Sequence, residues 1–314
     1  MTMLYYADAD FLAHDTGPGH PESPARLRAI ETALSAAGFP GLSRRTATIP
    51  EDIEAKLCLI HTPTMIARVL SGIPAEGLSY FDADTVASPG SRAAALRAVA
   101  TVCDAVDRII SGEAGQAFCA VRPPGHHAMP GYPMGFCLFN NVAIAAEYAR
   151  RHYGLERLAI VDFDVHHGNG TQAAFYRQAQ VLYASSHQWP HYPGSGHPSE
   201  NGVGNIINVP LPTGTDGNTF RAKYREIIFP ALKKFAPQLL FVSAGFDAHK
   251  DDPLASLRLE ADDYAWVSRQ LRMIADECCQ GRIISALEGG YHLTALAASV
   301  AAHVRGLMGT DGGG

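Results

Sequence analysis

No apolar run in the 314 residues approaches the roughly 20 that a bilayer-spanning helix needs, so a helical membrane protein is excluded. The opening MTMLYYADADF carries acids early and lacks a basic stretch followed by an apolar core, and no secretory signal is expected from it. The six cysteines (Cys58, Cys103, Cys119, Cys137, Cys278 and Cys279) form no C-x-x-C pair, and only the last two are adjacent. That spacing suits packing better than bridging and predicts a reducing, cytoplasmic setting. Basic clusters are missing too. The formal charge is -6, the pI is about 6.1, and Lys and Arg are scattered, which leaves no footprint for a phosphate backbone. Neither a membrane nor a nucleic acid is therefore an expected partner. Repeats, linkers and low-complexity segments are absent apart from the tail 309–314, which is expected to fray.

What is present is apolar residue in quantity, 47% of the chain, enough to bury a sizeable core. The length is near the upper size of about 250 to 300 residues for one domain, so a single domain over 1–314 is expected. Short apolar runs at 117–121, 158–163, 181–185, 239–243 and 283–287 alternate with longer amphipathic stretches. That alternation predicts an α/β fold with a largely parallel sheet. Helices are expected over 91–110, 140–151, 217–235, 260–279 and 293–308. In the first, Val99, Val102, Cys103, Val106 and Ile110 fall on one face, and Pro237 and Gly281 follow two of the others as stop signals. Loops rich in Gly and Pro lie at 15–24, 123–135 and 190–204, and long irregular loops in such a fold are commonly functional.

Four of the strand candidates run directly into unusual polar sequences. These are Arg122-Pro123-Pro124-Gly125-His126-His127, Asp164-Val165-His166-His167-Gly168-Asn169, Ala244-Gly245-Phe246-Asp247 and Glu288-Gly289-Gly290-Tyr291. In an open parallel sheet the carboxyl ends of the strands share one edge, where ligands bind, so these residues should converge. Asp164 and His166, two apart on an extended segment, would point to one side while Val165 faces the core. Asp247 is a third ligand candidate, because an isolated carboxylate at the end of an apolar strand would be costly. Two carboxylates and one imidazole leave a position open, as catalytic zinc sites do. Alternatively, Asp164 caps a helix and His166 is a satisfied loop histidine. His126 and His127 sit in a rigid turn. Asp162 could orient one imidazole and Asn169 the other, giving the two rings different proton affinities. Tyr291, after two glycines, could swing toward a bound group as an oxyanion donor, or be an ordinary amphipathic surface residue.

With these residues in hand, the chain resembles the zinc-dependent histone deacetylases, in particular the class II branch and its bacterial relatives. The matching runs are RPPGHHA (122–128), GFCLFNN (135–141), VDFDVHHGNG (161–170), SAGFDAHKDDPLA (243–255) and LEGGY (287–291), with HPESPARL (20–27) at the front. The resemblance implies the arginase/deacetylase fold, a parallel sheet of about eight strands flanked by helices. It also implies hydrolysis of the amide of N-acetyl-lysine or a related acyl-lysine, releasing acetate and free amine. The implied ligands of one zinc are Asp164, His166 and Asp247, with His126 and His127 as the paired histidines and Tyr291 as the catalytic tyrosine. Phe136 and Tyr192 match aromatic walls around the acyl-lysine stem, and Gly135 leaves room beside them. Asp162, the Ser185 hydroxyl and the carbonyls of Asp164, His166 and Ser186 match a structural potassium site. Arg26 matches an arginine near the exit route for acetate. In the mechanism so implied, His127 takes the proton of a water that attacks the acetyl carbonyl, and Tyr291 holds the oxyanion.

Three other readings compete with this one. Dimanganese ureohydrolases share the implied fold, but Gly168 and His249 stand where those enzymes carry aspartates. Polyamine-selective relatives place a glutamate seven residues past the last zinc aspartate. Leu254 stands there instead, an apolar rim that favours acyl-lysine in peptides or proteins over acetylated polyamines or other small amines. Asp84 could bind a substrate's amide or amine at the rim, or simply cap a helix before Ser88-Pro89. A binding module that recognises acyl-lysine without cutting it would be expected to lack the tyrosine, which is present. A homo-oligomer is compatible with all of these readings.

Overall fold

A computed structural model of the chain describes residues 2–35 and 37–309; the rest of the expected frayed tail, 310–314, lies outside the described residues. Its elements in chain order begin with β1 (Met3–Tyr6), α1 (Asp10–Ala13), α2 (Pro24–Ala33), β2 (Leu42–Arg45), α3 (Ile53–Leu57) and α4 (Pro63–Gly72). A small antiparallel hairpin, β3 (Ser79–Tyr80) and β4 (Val86–Ala87), precedes α5 (Ser91–Ile110), β5 (Gln116–Cys119), α6 (Asn141–Tyr153), β6 (Leu158–Asp162) and α7 (Asn169–Phe175). Then come β7 (Val181–Gln188), β8 (Ile206–Leu211), α8 (Gly217–Lys223), a π turn (Tyr224–Ile228), α9 (Phe229–Phe235), β9 (Leu239–Ala244), α10 (Ala261–Cys279), β10 (Ile283–Leu287) and α11 (Leu293–Met308).

Eight strands form one sheet in the order β2-β1-β5-β10-β9-β6-β7-β8, every pair parallel. The interior strands are apolar throughout because helices cover both faces of a parallel sheet, as in β6 (LAIVD) and β9 (LLFVSA), where every residue is buried. The outermost strands look different. β2 reads LSRR and exposes Arg44, and β8 contains Pro210, which a central ladder would not accept. This is why neither registers as an apolar run, and β1 is only four residues long. Around the sheet, α10 packs along α11, α11 on α2, and α5 along α6.

The long helices fall where periodicity placed them, with local chemistry fixing their ends. Asn140 caps α6 by accepting from Ala143 N, and α10 opens on a reciprocal pair between Glu260 and Asp263. One expectation changes. The helix expected over 217–235 widens into the π turn at its middle. Pro230 lacks an N–H and its ring crowds the carbonyl four residues back, so the ladder shifts by one residue there.

The sheet order places β5, β10, β9 and β6 side by side at the centre, and these are the four strands that end in the polar motifs. Chain reversals around them open a crevice at their carboxyl ends.

Candidate active site

Two of the four strands stop short of the apolar run that marks them, β5 at Cys119 and β6 at Asp162, while β10 ends with its run and β9 continues one residue further, to Ala244. β6 stops at Asp162, and Asp164 to His166 form a bend rather than extended chain. Their side chains converge all the same, because the bend is tied down by the carboxylates themselves. His166 N donates to Asp164 Oδ1 at 2.8 Å and Val165 N to Asp247 Oδ1 at 2.9 Å. Gly289 N, arriving from β10, donates to Asp164 Oδ2 at 2.8 Å.

Asp164, His166 and Asp247 are all buried, and one ligand atom from each lies within 4.8 Å of the others. His166 Nδ1 stands 3.1 Å from Asp164 Oδ1 and 3.1 Å from Asp247 Oδ2. Burial and the neighbouring Asp164 push the Asp247 carboxyl up to about 7. Burial alone would lower His166, but hydrogen bonds to Asp164 and Asp247 raise it to about 10. Burial would raise Asp164 as well, yet His126 and His166 hold it well below the carboxylate range. Two carboxylates this close in a dry pocket repel each other, and a divalent cation between them and the imidazole relieves that strain. Gly245 and Gly289 face the carboxylates, and a Cβ on either would collide with Asp164, so the cradle is kept free of other side chains. The donor set therefore fits a metal ion of the zinc type.

Beside the cradle the rings of His126 and His127 lie 4.0 Å apart. His126 Nδ1 is 3.1 Å from Asp162 Oδ2, which also accepts from the Tyr183 hydroxyl at 2.9 Å. His127 Nδ1 is 2.7 Å from Asn169 Oδ1. The two imidazoles are driven apart in basicity. Burial depresses both, but Asp164, Asp162 and Glu288 raise His126 well above the ordinary histidine range, while His126 and His166 add to the burial that lowers His127.

A cavity of about 250 Å³ opens onto these groups, lined among others by Tyr291, Gly135, Phe136, Tyr192, Leu254 and Asp84. Phe136, held at φ 66° between Gly135 and Cys137, meets the Tyr291 ring edge-on at 5.8 Å, and Tyr192 meets His127 edge-on at 5.2 Å. Tyr291 is half-buried, and burial together with Asp247 raises its phenol well above the usual value.

Arg26 lies outside this cavity. It is fully buried, its Nε donating to Gly290 O at 2.6 Å, one terminal nitrogen to Glu288 O and the other to Glu22 at 3.1 Å, with its guanidinium 5.0 Å from the Tyr291 ring centre. Two of the three nitrogens are therefore committed to the 288–290 loop behind the tyrosine and the third to the buried Glu22 carboxylate. Asp162 and Ser185 are register partners on β6 and β7. The Ser185 hydroxyl is 2.9 Å from His187 Nδ1, and that of Ser186 2.9 Å from the Tyr224 hydroxyl.

Several groups at the site are given no role by the residue pattern. Glu288, inside LEGGY, accepts from Gly125 N at 2.7 Å and His126 N at 3.1 Å and so sets the histidine turn. Asp252 accepts from Tyr291 N at 2.7 Å. His191 stacks on His166 at 5.2 Å, and His20 packs edge-on against Phe136 at 4.8 Å. The available signals were the place of Glu288, Asp252 and His20 inside the runs 287–291, 243–255 and 20–27, and the adjacency of His191 to Tyr192.

A profile of the histone deacetylase domain matches residues 20–307. An uncharacterized protein of Synechocystis sp., slr0245, is 41% identical over 98% of this chain and all of its own length. Histone deacetylase 14, chloroplastic, of Arabidopsis thaliana is 37% identical, covering 98% of this chain and 77% of that one. The histone deacetylase-like amidohydrolase of Pseudomonas aeruginosa is 38% identical over 87% of this chain and 73% of its own. The crystal structure of the HDA15 HD domain superposes with a TM-score of 0.91 at 35% identity, covering 98% of this chain and 89% of that one, so the fold is the arginase/deacetylase fold. From the matched profile, the relatives and the superposed sheet together, the chain belongs to the histone deacetylase family of amide hydrolases.

Proposed function

We propose that this protein hydrolyses the amide of N-acetyl-lysine in peptides or proteins, as one catalytic domain over 1–314 that binds a single zinc ion through Asp164, His166 and Asp247. The observation that carries the reading is the convergence of that triad, the two unequal histidines and Tyr291 on one narrow cavity. When bound, the zinc supplies Lewis acidity toward the acetyl carbonyl and toward a water. His127, the weaker base of the pair, takes the water's proton through Nε2, since Nδ1 faces Asn169. A protonated histidine of the pair then delivers a proton to the leaving amine, with His126 held in place through Nδ1 by Asp162. Tyr291, a phenol too weakly acidic to ionise, donates to the developing oxyanion. Phe136 and Tyr192 exclude water from the lysine stem, and Gly135 leaves it room.

One metal suits the site better than two. A Cβ at Gly168 would collide with Asp162 and the Tyr183 hydroxyl, so no further carboxylate fits after His166. Among the described residues one group of three metal-ligating side chains is found. Asp162, the Ser185 hydroxyl and the carbonyls of Asp164, His166 and Ser186 are assigned to a structural potassium ion, a role that the register of β6 on β7 supports. Six free cysteines suit a reducing cytoplasm, and no helix among the described residues is long and apolar enough to cross a membrane. Arg26 acts at the acetate route only through the loop it holds.

The test is a rate comparison of zinc-loaded protein on acetyl-lysine peptides, longer acyl-lysines and acetylated polyamines. Leu254 at the rim offers a distant ammonium no partner, so the acetyl-lysine peptide should be the best substrate. A strong preference for the polyamine would overturn the substrate assignment.

A further inference from the structure

Asn169, in the first turn of α7, has both ends of its amide engaged. Its Oδ1 faces His127 Nδ1, and its Nδ2 points at two thioethers, 3.1 Å from Met129 Sδ and 3.2 Å from Met134 Sδ. Both methionines are half-buried and belong to the irregular segment between β5 and α6. Their backbones are pinned. Met129 N donates to Tyr132 O at 3.0 Å, and Met134 and Cys137 exchange two hydrogen bonds at 3.2 and 3.0 Å.

A thioether sulfur is a weak acceptor and never a donor. The Asn169 amide therefore has one favourable orientation, with its NH2 toward the sulfurs and its oxygen toward the imidazole. Flipped, the oxygen would meet sulfur lone pairs on two sides. An amide oxygen only accepts, so His127 Nδ1 carries the proton of the neutral ring and Nε2 keeps its lone pair. His126 needs no such arrangement, because either oxygen of its Asp162 partner accepts.

We infer that Met129 and Met134 are positioning residues that fix the tautomer of His127 through the Asn169 amide, an inference that rests on the reading of His127 as the base. Neither sulfur touches the reacting atoms. Their effect passes through one amide to one ring nitrogen.

The test uses the full chain, zinc-loaded and labelled with 15N-histidine, with the His127 signals identified by their loss in His127→Gln. The native protein should show His127 protonated at Nδ1. Met129→Leu combined with Met134→Leu keeps side-chain volume but removes both acceptors. The pair should bring up an Nε2–H population and lower kcat on an acetyl-lysine peptide about tenfold, with KM moving less than about twofold, a modest part of what a general base contributes. In an Asn169→Asp background, where the partner has no amide to orient, the same leucines should change kcat by less than about twofold. An Nε2–H tautomer in the native protein, an unchanged tautomer in the variant, or an equal loss in both backgrounds would overturn the inference. The tautomer is read without turnover, so a protein inactive on acetyl-lysine would defeat the proposed function and still leave this question answerable.

Discussion

At the scale of single residues, Asp164 and His166, past the end of one buried strand, come together with Asp247, past the end of another. The reason is physical: ionisable side chains at the inner ends of buried strands are costly unless they face a shared partner. Glu288, Asp252, Met129 and Met134 were not legible, because what they do depends on backbone groups and an amide brought in from distant parts of the chain. Two substitutions probe the roles proposed here. Tyr291→Phe should lower kcat by about 10²- to 10³-fold, the loss expected for one oxyanion donor, with the fold intact by circular dichroism. Asp247→Asn should weaken zinc by more than the roughly 10- to 100-fold typical of an outer partner, as read by equilibrium dialysis with elemental analysis.

At the scale of elements, α5, α10 and α11 were readable from periodicity and stop signals, whereas β1, β2 and β8 were not. A four-residue strand, an arginine-bearing edge and a proline-containing edge lack the apolar run that marks an interior strand. The contact between elements also carries a pH dependence. His303 on α11 is buried between Ser268 of α10 at 2.6 Å and Ser285 of β10 at 2.8 Å, and burial lowers it to about 3. Above the unfolded value of about 6.5 the ring is neutral in both states and costs nothing. As pH falls, the unfolded chain takes up the proton and the folded one does not, so stability is lost progressively from about 6.5 toward 3. By linkage this one histidine should remove about 2 kcal/mol at pH 5. In urea unfolding, the stability gap between the native chain and His303→Gln should narrow by about that amount from pH 7.5 to pH 5. A constant gap would contradict the assignment.

At the scale of the whole molecule, the alternation of apolar runs with amphipathic stretches was enough to predict an α/β fold with a parallel sheet. The strand order was not readable that way, since it follows from which crossovers pack on which face. It matters because β5, β10, β9 and β6 are neighbours, so one crevice collects ligands from positions 164 to 247 and a tyrosine at 291. An ion there ties two strand ends together and should stabilise the whole fold. At a free zinc concentration about 100 times its Kd, the gain is about 2.7 kcal/mol, so a chelator should lower Tm by several degrees.

The most direct measurement is a zinc titration of metal-free protein, following acetate released from an acetyl-lysine peptide. The account predicts no hydrolysis at the start, a linear rise, and a plateau at one equivalent per chain, abolished by Asp164→Ala. Activity without metal, or a plateau at two equivalents, would contradict it.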